Sequence, residues 1–293
     1  MRVRQIGMTV ILAAGFAIPP HAQDRSANPQ TAVTSTKVVL GNDGMPMLLP
    51  FGCSAEDIRW AGLSCSEEAP CPIFLEIATV EVLGNRVLLA GNIHSEAVTL
   101  YSVLLASDDN GHTWQEVHDR IRGAGLDHIE YLGTGTAWIG GQVLFPFTQD
   151  PFLLITTDGG KTWSQREVLS DEDESRFGSI QQFFFTTKDA GTLILDRGAG
   201  ASGGDRYALY ESTNGGETWV VKTESPKPLL VKRPPAPAPD WRVRPDAGMK
   251  SFLLERRTGT RWNAVAAFLV KLDPCKPPEP TANPAGLENR QNR

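Results

Sequence analysis

One octapeptide, written three times and echoed a fourth, constrains this chain more than any other feature. It reads Ser107-Asp108-Asp109-Asn110-Gly111-His112-Thr113-Trp114, then Thr156-Thr157-Asp158-Gly159-Gly160-Lys161-Thr162-Trp163, then Ser212-Thr213-Asn214-Gly215-Gly216-Glu217-Thr218-Trp219. In Glu255-Arg256-Arg257-Thr258-Gly259-Thr260-Arg261-Trp262 only Gly259 and Trp262 keep the register. The four tryptophans are 49, 56 and 43 residues apart, a period that signals stacked structural repeats. Asn-Gly and Gly-Gly at the centre supply the positive φ that tight hairpin turns require. An Asp or Asn two residues before the second glycine can accept backbone N–H bonds from its own turn, and the flanking hydroxyls add more. The tryptophan then re-enters a strand as a large apolar anchor.

These octapeptides resemble the Asp-box (BNR) repeat of β-propellers. The resemblance implies a turn that staples a hairpin, away from the ligand face. The residues placed in that structural role are Ser107, Asp109, Gly111, Thr113 and Trp114; Thr156, Asp158, Gly160, Thr162 and Trp163; Ser212, Asn214, Gly216, Thr218 and Trp219; and Gly259 with Trp262.

The strand pattern around the boxes agrees. Residues 76–83, 86–91, 100–107 and 113–118 read as four strands, and 128–132, 136–140, 152–157 and 162–168 as four more. A third set is 180–186, 191–196, 206–212 and 218–223, and a weaker fourth is 229–233, 241–244, 250–256 and 261–272. Four short strands per unit make a propeller blade, and no helical periodicity of useful length occurs outside the leader. The expectation is an all-β chain: a small β-propeller with four-stranded antiparallel blades at about 73–118, 128–168, 180–223 and 229–272, within one domain of residues 37–275. A fifth blade is an option if the cysteine-containing segment 37–72 supplies it.

Residues 1–22 read as a secretory signal. Arg2 and Arg4 precede a short apolar run, and Pro19-Pro20-His21-Ala22 offers a cleavage site. No later stretch is apolar enough to span a membrane as a helix. Without the signal the chain carries 26 basic and 34 acidic residues, and no basic footprint for nucleic acid. A secreted or periplasmic protein is expected. Residues 23–36 and the tail 276–293 are polar and expected to be disordered.

Export makes the four cysteines, Cys53, Cys65, Cys71 and Cys275, readable as disulfides. Zinc is the rival, without a Cys-x-x-Cys pair or histidine spacing to support it. Three connectivities are possible. A closed propeller brings its first and last strands together, which favours Cys53–Cys275 with a local Cys65–Cys71 loop.

Several motifs spell known chemistry. Gly198-Ala199-Gly200-Ala201-Ser202-Gly203 spells a dinucleotide fingerprint and Gly200-Ala201-Ser202-Gly203-Gly204 a hydrolase elbow. Both need a following helix, and here a strand-like run follows. The acidic loop Ser170-Asp171-Glu172-Asp173-Glu174-Ser175 lacks the spacing of a calcium loop. Residues 226–239 hold six prolines and favour polyproline II; Lys227, Lys232 and Arg233 give that segment a docking option. His94, His112, His118 and His128 read as loop or surface residues. No catalytic, cofactor or metal residue is assigned.

Two family resemblances carry functional expectations. Sialidases are similar in having Asp-boxes, and imply an arginine clamp for the substrate carboxylate, a tyrosine–glutamate nucleophile and an aspartate acid/base. Their Arg-Ile-Pro signature is missing; Arg120-Ile121-Arg122-Gly123 is the nearest string, and Tyr101, Tyr131, Tyr207 and Tyr210 all read as strand residues. Residues 90–262 more closely resemble exported bacterial propellers of the photosystem II stability/assembly factor family, through phrases such as Leu154-Ile155-Thr156-Thr157-Asp158-Gly159-Gly160-Lys161-Thr162-Trp163. That resemblance implies a non-catalytic scaffold binding a protein partner, with a glycoside hydrolase of sialidase-like type as the alternative.

Overall fold

The computed structural model of the chain describes residues 38–133, 135–145, 151–169, 178–198, 204–233, 235 and 238–277. The expected leader, residues 23–36, the acidic loop 170–175, the centre of the glycine loop and most of the tail lie outside them.

The described residues form four antiparallel sheets. Strand β1 (Val39–Gly41) and helix α1 (Ala55–Trp60) come first, followed by β2 (Phe74–Leu83), β3 (Arg86–His94), β4 (Thr99–Ser107) and β5 (Thr113–Glu116). Sheet 2 holds β6 (Ala124–Leu132), β7 (Thr136–Val143), β8 (Pro151–Thr156) and β9 (Ser164–Glu167). Sheet 3 holds β10 (Ser179–Phe185), β11 (Gly191–Asp196), β12 (Tyr207–Ser212) and β13 (Val220–Ser225). Sheet 4 holds β14 (Trp241–Asp246), β15 (Ser251–Thr258) and β16 (Arg261–Leu269). Each is an up-and-down meander, the arrangement of a propeller blade. In sheet 1, β1 pairs antiparallel with β5, so its order is β1-β5-β4-β3-β2.

Two expectations need correction. Segment 37–72 is not a fifth blade. Its first strand extends sheet 1, Met47 makes a single parallel bridge to Phe268, and α1 follows. That helix is only six residues long, too short for a hydrophobic period to show. Ser54 and Asp57 start it with a reciprocal capping box, satisfying N–H groups that would otherwise lack partners. Residues 229–233 are not a strand, so sheet 4 has three strands. Pro226 and Pro228 remove the N–H groups a ladder requires at the entry to that segment.

Main-chain pairing ties the end of the chain to its beginning. Met47 N–H donates to Ala267 O at 2.8 Å and Leu269 N–H to Met47 O at 2.8 Å, beside the outer strand of sheet 4. Beyond β16, Leu75 N–H donates to Val270 O (2.7 Å), Leu272 N–H to Ile73 O (2.9 Å), and Cys71 and Cys275 exchange two bonds. Cys53 is bonded to Cys275 across 222 residues, and Cys65 to Cys71 across 6. Sheets 4 and 1 are therefore clasped by hydrogen bonds as well as sulfur.

The core lies between sheets, where alternate residues of facing strands meet. Trp114 packs edge-on against Phe268 at 5.4 Å between sheets 1 and 4, with Leu75, Ile73 and Leu254 around them. Leu88, Leu104, Ile139 and Phe152 fill the space between sheets 1 and 2. Between sheets 2 and 3, Trp138 stacks on Phe185 at 3.7 Å. Gly140 lets these two sheets approach: a Cβ there would sit 2.6 Å from the Phe183 ring.

Candidate functional site

The boxes are turn staples built from side-chain oxygens. In the second, Asp158 Oδ1 accepts from Thr156 Oγ1 (2.8 Å), Lys161 N–H (2.9 Å) and Thr162 N–H (3.0 Å), and Oδ2 accepts from Thr162 Oγ1 (2.6 Å). Thr156 Oγ1 in turn accepts from Gly160 N–H at 3.0 Å, and Trp163 Nε1 donates to Gly160 O at 3.2 Å. The first repeats this. Asp109 accepts from Ser107 Oγ, Thr113 N–H and Thr113 Oγ1 at 2.6–2.8 Å, and Trp114 Nε1 donates to Gly111 O. Partial desolvation pushes the Asp109 carboxyl upward, but bonds from Thr113, Ser107 and the His112 amide outweigh it and lower it to about 2. Asp158 is likewise held well below the usual carboxylate range. In the third box Asn214 Oδ1 accepts from Ser212 Oγ and Thr218 N–H, while its Nδ2 donates to Thr218 Oγ1 at 2.9 Å. Gly216 N–H donates to Ser212 Oγ at 2.9 Å. Trp219 Nε1 is buried without a partner. The worn copy keeps only a tight turn at Gly259 (φ 62°), with Trp262 lying under the Arg242 guanidinium at 4.2 Å.

Each complete box also reaches a neighbouring sheet, a role the repeat pattern does not reveal. Asn42 Nδ2 donates to Gly111 O (3.1 Å) and Val265 O (2.6 Å), joining box 1 to sheet 4. Arg86, ion-paired to Asp108 at 2.7 Å, donates to Gly160 O at 2.6 Å, joining boxes 1 and 2. Trp138 Nε1 donates to Gly215 O at 2.7 Å, joining box 3 to sheet 2.

The described residues form a cleft of about 290 Å³ between β6 and β10. Asp127, His128, Gly140, Gln182, Phe183 and Arg233 contribute to its lining. Glu130 is buried beside it, accepting from Arg233 at 2.6–2.8 Å and contacting His128 Nε2 at 2.6 Å. Gln182 Nε2 donates to Val231 O at 3.1 Å, so the proline-rich segment is pinned across these strands at two points. Asp127 opens onto the cleft, yet the crowding walls and then the nearby Glu76 carboxylate push its carboxyl upward. Burial does the same to Glu81, with Glu130 adding to the shift. Sequence reasoning missed this group because Asp127, His128 and Glu130 read as ordinary residues of one strand, and only folding places Arg233, 103 residues on, against Glu130.

The residues that a sialidase resemblance singles out are not assembled around that cleft. Arg120 is ion-paired to Glu116 and donates to Pro50 O. Arg122 pairs with Glu56 at 2.8 Å and lies 3.5 Å from Asp57. The Tyr101 hydroxyl donates to Asp57, the residue that also caps α1. Burial, then that bond, push the Tyr101 hydroxyl upward, opposite to what a nucleophile requires. Tyr210 receives a bond from Arg197 at 2.7 Å inside the core between sheets 2 and 3. His94 and His118 contact neighbouring carbonyls, and no group of three or more metal-ligating side chains forms among the described residues.

A model of the BNR/Asp-box repeat matches residues 154–165, which span box 2. No curated protein matches the chain. Among solved structures it is similar to a structure of YCF48 bound to D1 peptide, at 19% identity and a TM-score of 0.35, covering 67% of this chain and 56% of that one. It is also similar to a GH74 xyloglucanase from Xanthomonas campestris at 17% identity and a TM-score of 0.38, covering 50% and 21%. A Trypanosoma rangeli sialidase matches at 16% identity and a TM-score of 0.33, covering 62% and 29%. The chain spans from about a fifth to little more than half of these structures' lengths. Sequence repeat and sheet topology agree: the chain is a small Asp-box β-propeller.

Proposed function

We propose that this propeller is an exported, non-catalytic scaffold that binds a protein partner and assists assembly of an envelope complex. The observation that carries the reading is the commitment of its reactive groups to structure. The box carboxylates hold turns, Glu130 is neutralised by Arg233 beside the cleft, and Tyr101 is spent on the cap of α1. Two disulfides fit an oxidising compartment outside the cytoplasm, and no helix among the described residues is long and apolar enough to cross a membrane.

A glycoside hydrolase is the second reading. It is favoured by Asp127 on the cleft, whose carboxyl is pushed upward by burial and then by Glu76, the direction a proton donor needs. Incubating the mature protein with a fluorogenic sialoside separates the two. The scaffold reading expects no turnover above buffer. Turnover abolished by Asp127→Asn would install the hydrolase instead.

A further inference from the structure

The segment from Pro226 to Arg233 follows the edge strand β13 in the chain and contacts β10 and β6. It has no strand partner, yet it is held. Val231 O accepts from Gln182, and Arg233 is locked on buried Glu130. Leu229 and Val231 turn partly inward, while Leu230 between them is 92% exposed. Single exposed leucines are ordinary on protein surfaces. Leu230 differs in being projected by a backbone pinned just beyond it and stiffened by Pro226 and Pro228 before it. Lys227 and Lys232 flank it, both exposed, and the run Pro-Lys-Pro-Leu-Leu-Val-Lys-Arg holds three cations and no acid in a chain with 34 acidic and 28 basic residues.

We infer that residues 226–233 are a preformed linear docking element, with Leu230 as its anchor, for a protein presenting an apolar groove with an acidic rim. The inference rests on the protein-binding reading above and names the surface and the partner chemistry. Extended proline-rich segments suit such grooves because little conformational freedom remains to be lost on binding. The Arg233–Glu130 latch extends that saving to the apolar half of the segment. With Arg233 engaged, Lys227 and Lys232 are the cations left to meet the acidic rim.

The test uses the full mature chain carrying p-benzoylphenylalanine at position 230, irradiated in the envelope fraction of its own cells. One dominant adduct is expected, and none from the same probe at exposed Val220. The cross-linked protein, purified, should bind wild type through a groove with acidic borders. Leu230→Asp should weaken that binding at least about tenfold, since it removes a central apolar anchor, with no change in melting temperature. Lys227→Glu with Lys232→Glu should weaken it too, and Glu130→Gln by about threefold through lost preorganisation. An adduct with a second copy of this chain, or a partner that binds Leu230→Asp as tightly as wild type, overturns the docking element and leaves the scaffold reading intact. If wild type neither cross-links to nor retains any protein, the scaffold reading falls, and the docking element with it.

Discussion

Replacing Asp158 by alanine isolates what one box carboxylate contributes to the fold. The substitution removes an acceptor of two backbone N–H bonds and two hydroxyl bonds. Asp158 is exposed, so water takes over some of these donors, and the loss should be about 1–3 kcal/mol rather than the sum of four charged bonds. For a chain of this size each kcal/mol moves the midpoint by roughly 2–4 °C, so Tm should fall by about 2–12 °C. Asp158→Asn is the informative control, because Asn214 performs the same task in box 3 with an amide. It should cost less than about 1 kcal/mol, the value of one ordinary hydrogen bond. The two variants also differ from wild type in pH dependence. The folded carboxyl lies below its unfolded value of 3.8, so its contribution is in place above that value and is lost as pH falls through the folded one. The wild-type advantage over Asp158→Ala should therefore shrink in acid. Urea unfolding followed by tryptophan fluorescence at about pH 7 and about pH 3 reads all of this. An Asp158→Asn as damaging as Asp158→Ala, or an Asp158→Ala with no loss, would refute the staple.

Other perturbations test the packing and the clasp. The chain-entropy model gives about 5 kcal/mol for the 222-residue separation of Cys53–Cys275 and about 2 kcal/mol for Cys65–Cys71. Replacing the long bridge with serines should therefore lower Tm more than replacing the short one, and non-reducing peptide mapping should return those two pairs. Trp114→Phe should cost about 1–3 kcal/mol, because it empties space in a fully buried site and removes the indole bond to Gly111 O, leaving that carbonyl only Asn42. Trp219→Phe should cost less than about 1 kcal/mol, since it also removes a buried N–H without a partner; equal losses in thermal melts would contradict the difference. Gly140→Ala should destabilise by about 1–3 kcal/mol in urea titrations, because its Cβ would press on the Phe183 ring.

The blades were legible because their signals are local. A box at Gly111, Gly160 or Gly216 fixes a hairpin within eight residues, and alternation in runs such as 86–91 or 191–196 marks the strands it joins. The repeat does not reveal how blades grip one another. Arg86 on Gly160 O and Asn42 on Val265 O span 74 and 223 residues and leave no periodic trace. Helix α1 was invisible for the opposite reason, being shorter than two turns and announced only by Ser54 and Asp57. Residues 229–233 look apolar enough for a strand, but the prolines before them and the Arg233 latch decide otherwise. The cleft was hidden because Asp127, His128 and Glu130 of β6 gain Gln182 of β10 and Arg233 of the linker only on folding, the Glu130–Arg233 contact spanning 103 residues.

The central claim is that this propeller works by holding another protein. Affinity capture of the tagged mature chain from its own envelope fraction, after mild cross-linking and with quantitative mass spectrometry, addresses it most directly. One envelope protein should be recovered in near-equal molar amount and depleted when the bait carries Leu230→Asp. Recovery of the bait alone, from a preparation that turns over a fluorogenic sialoside, would contradict it.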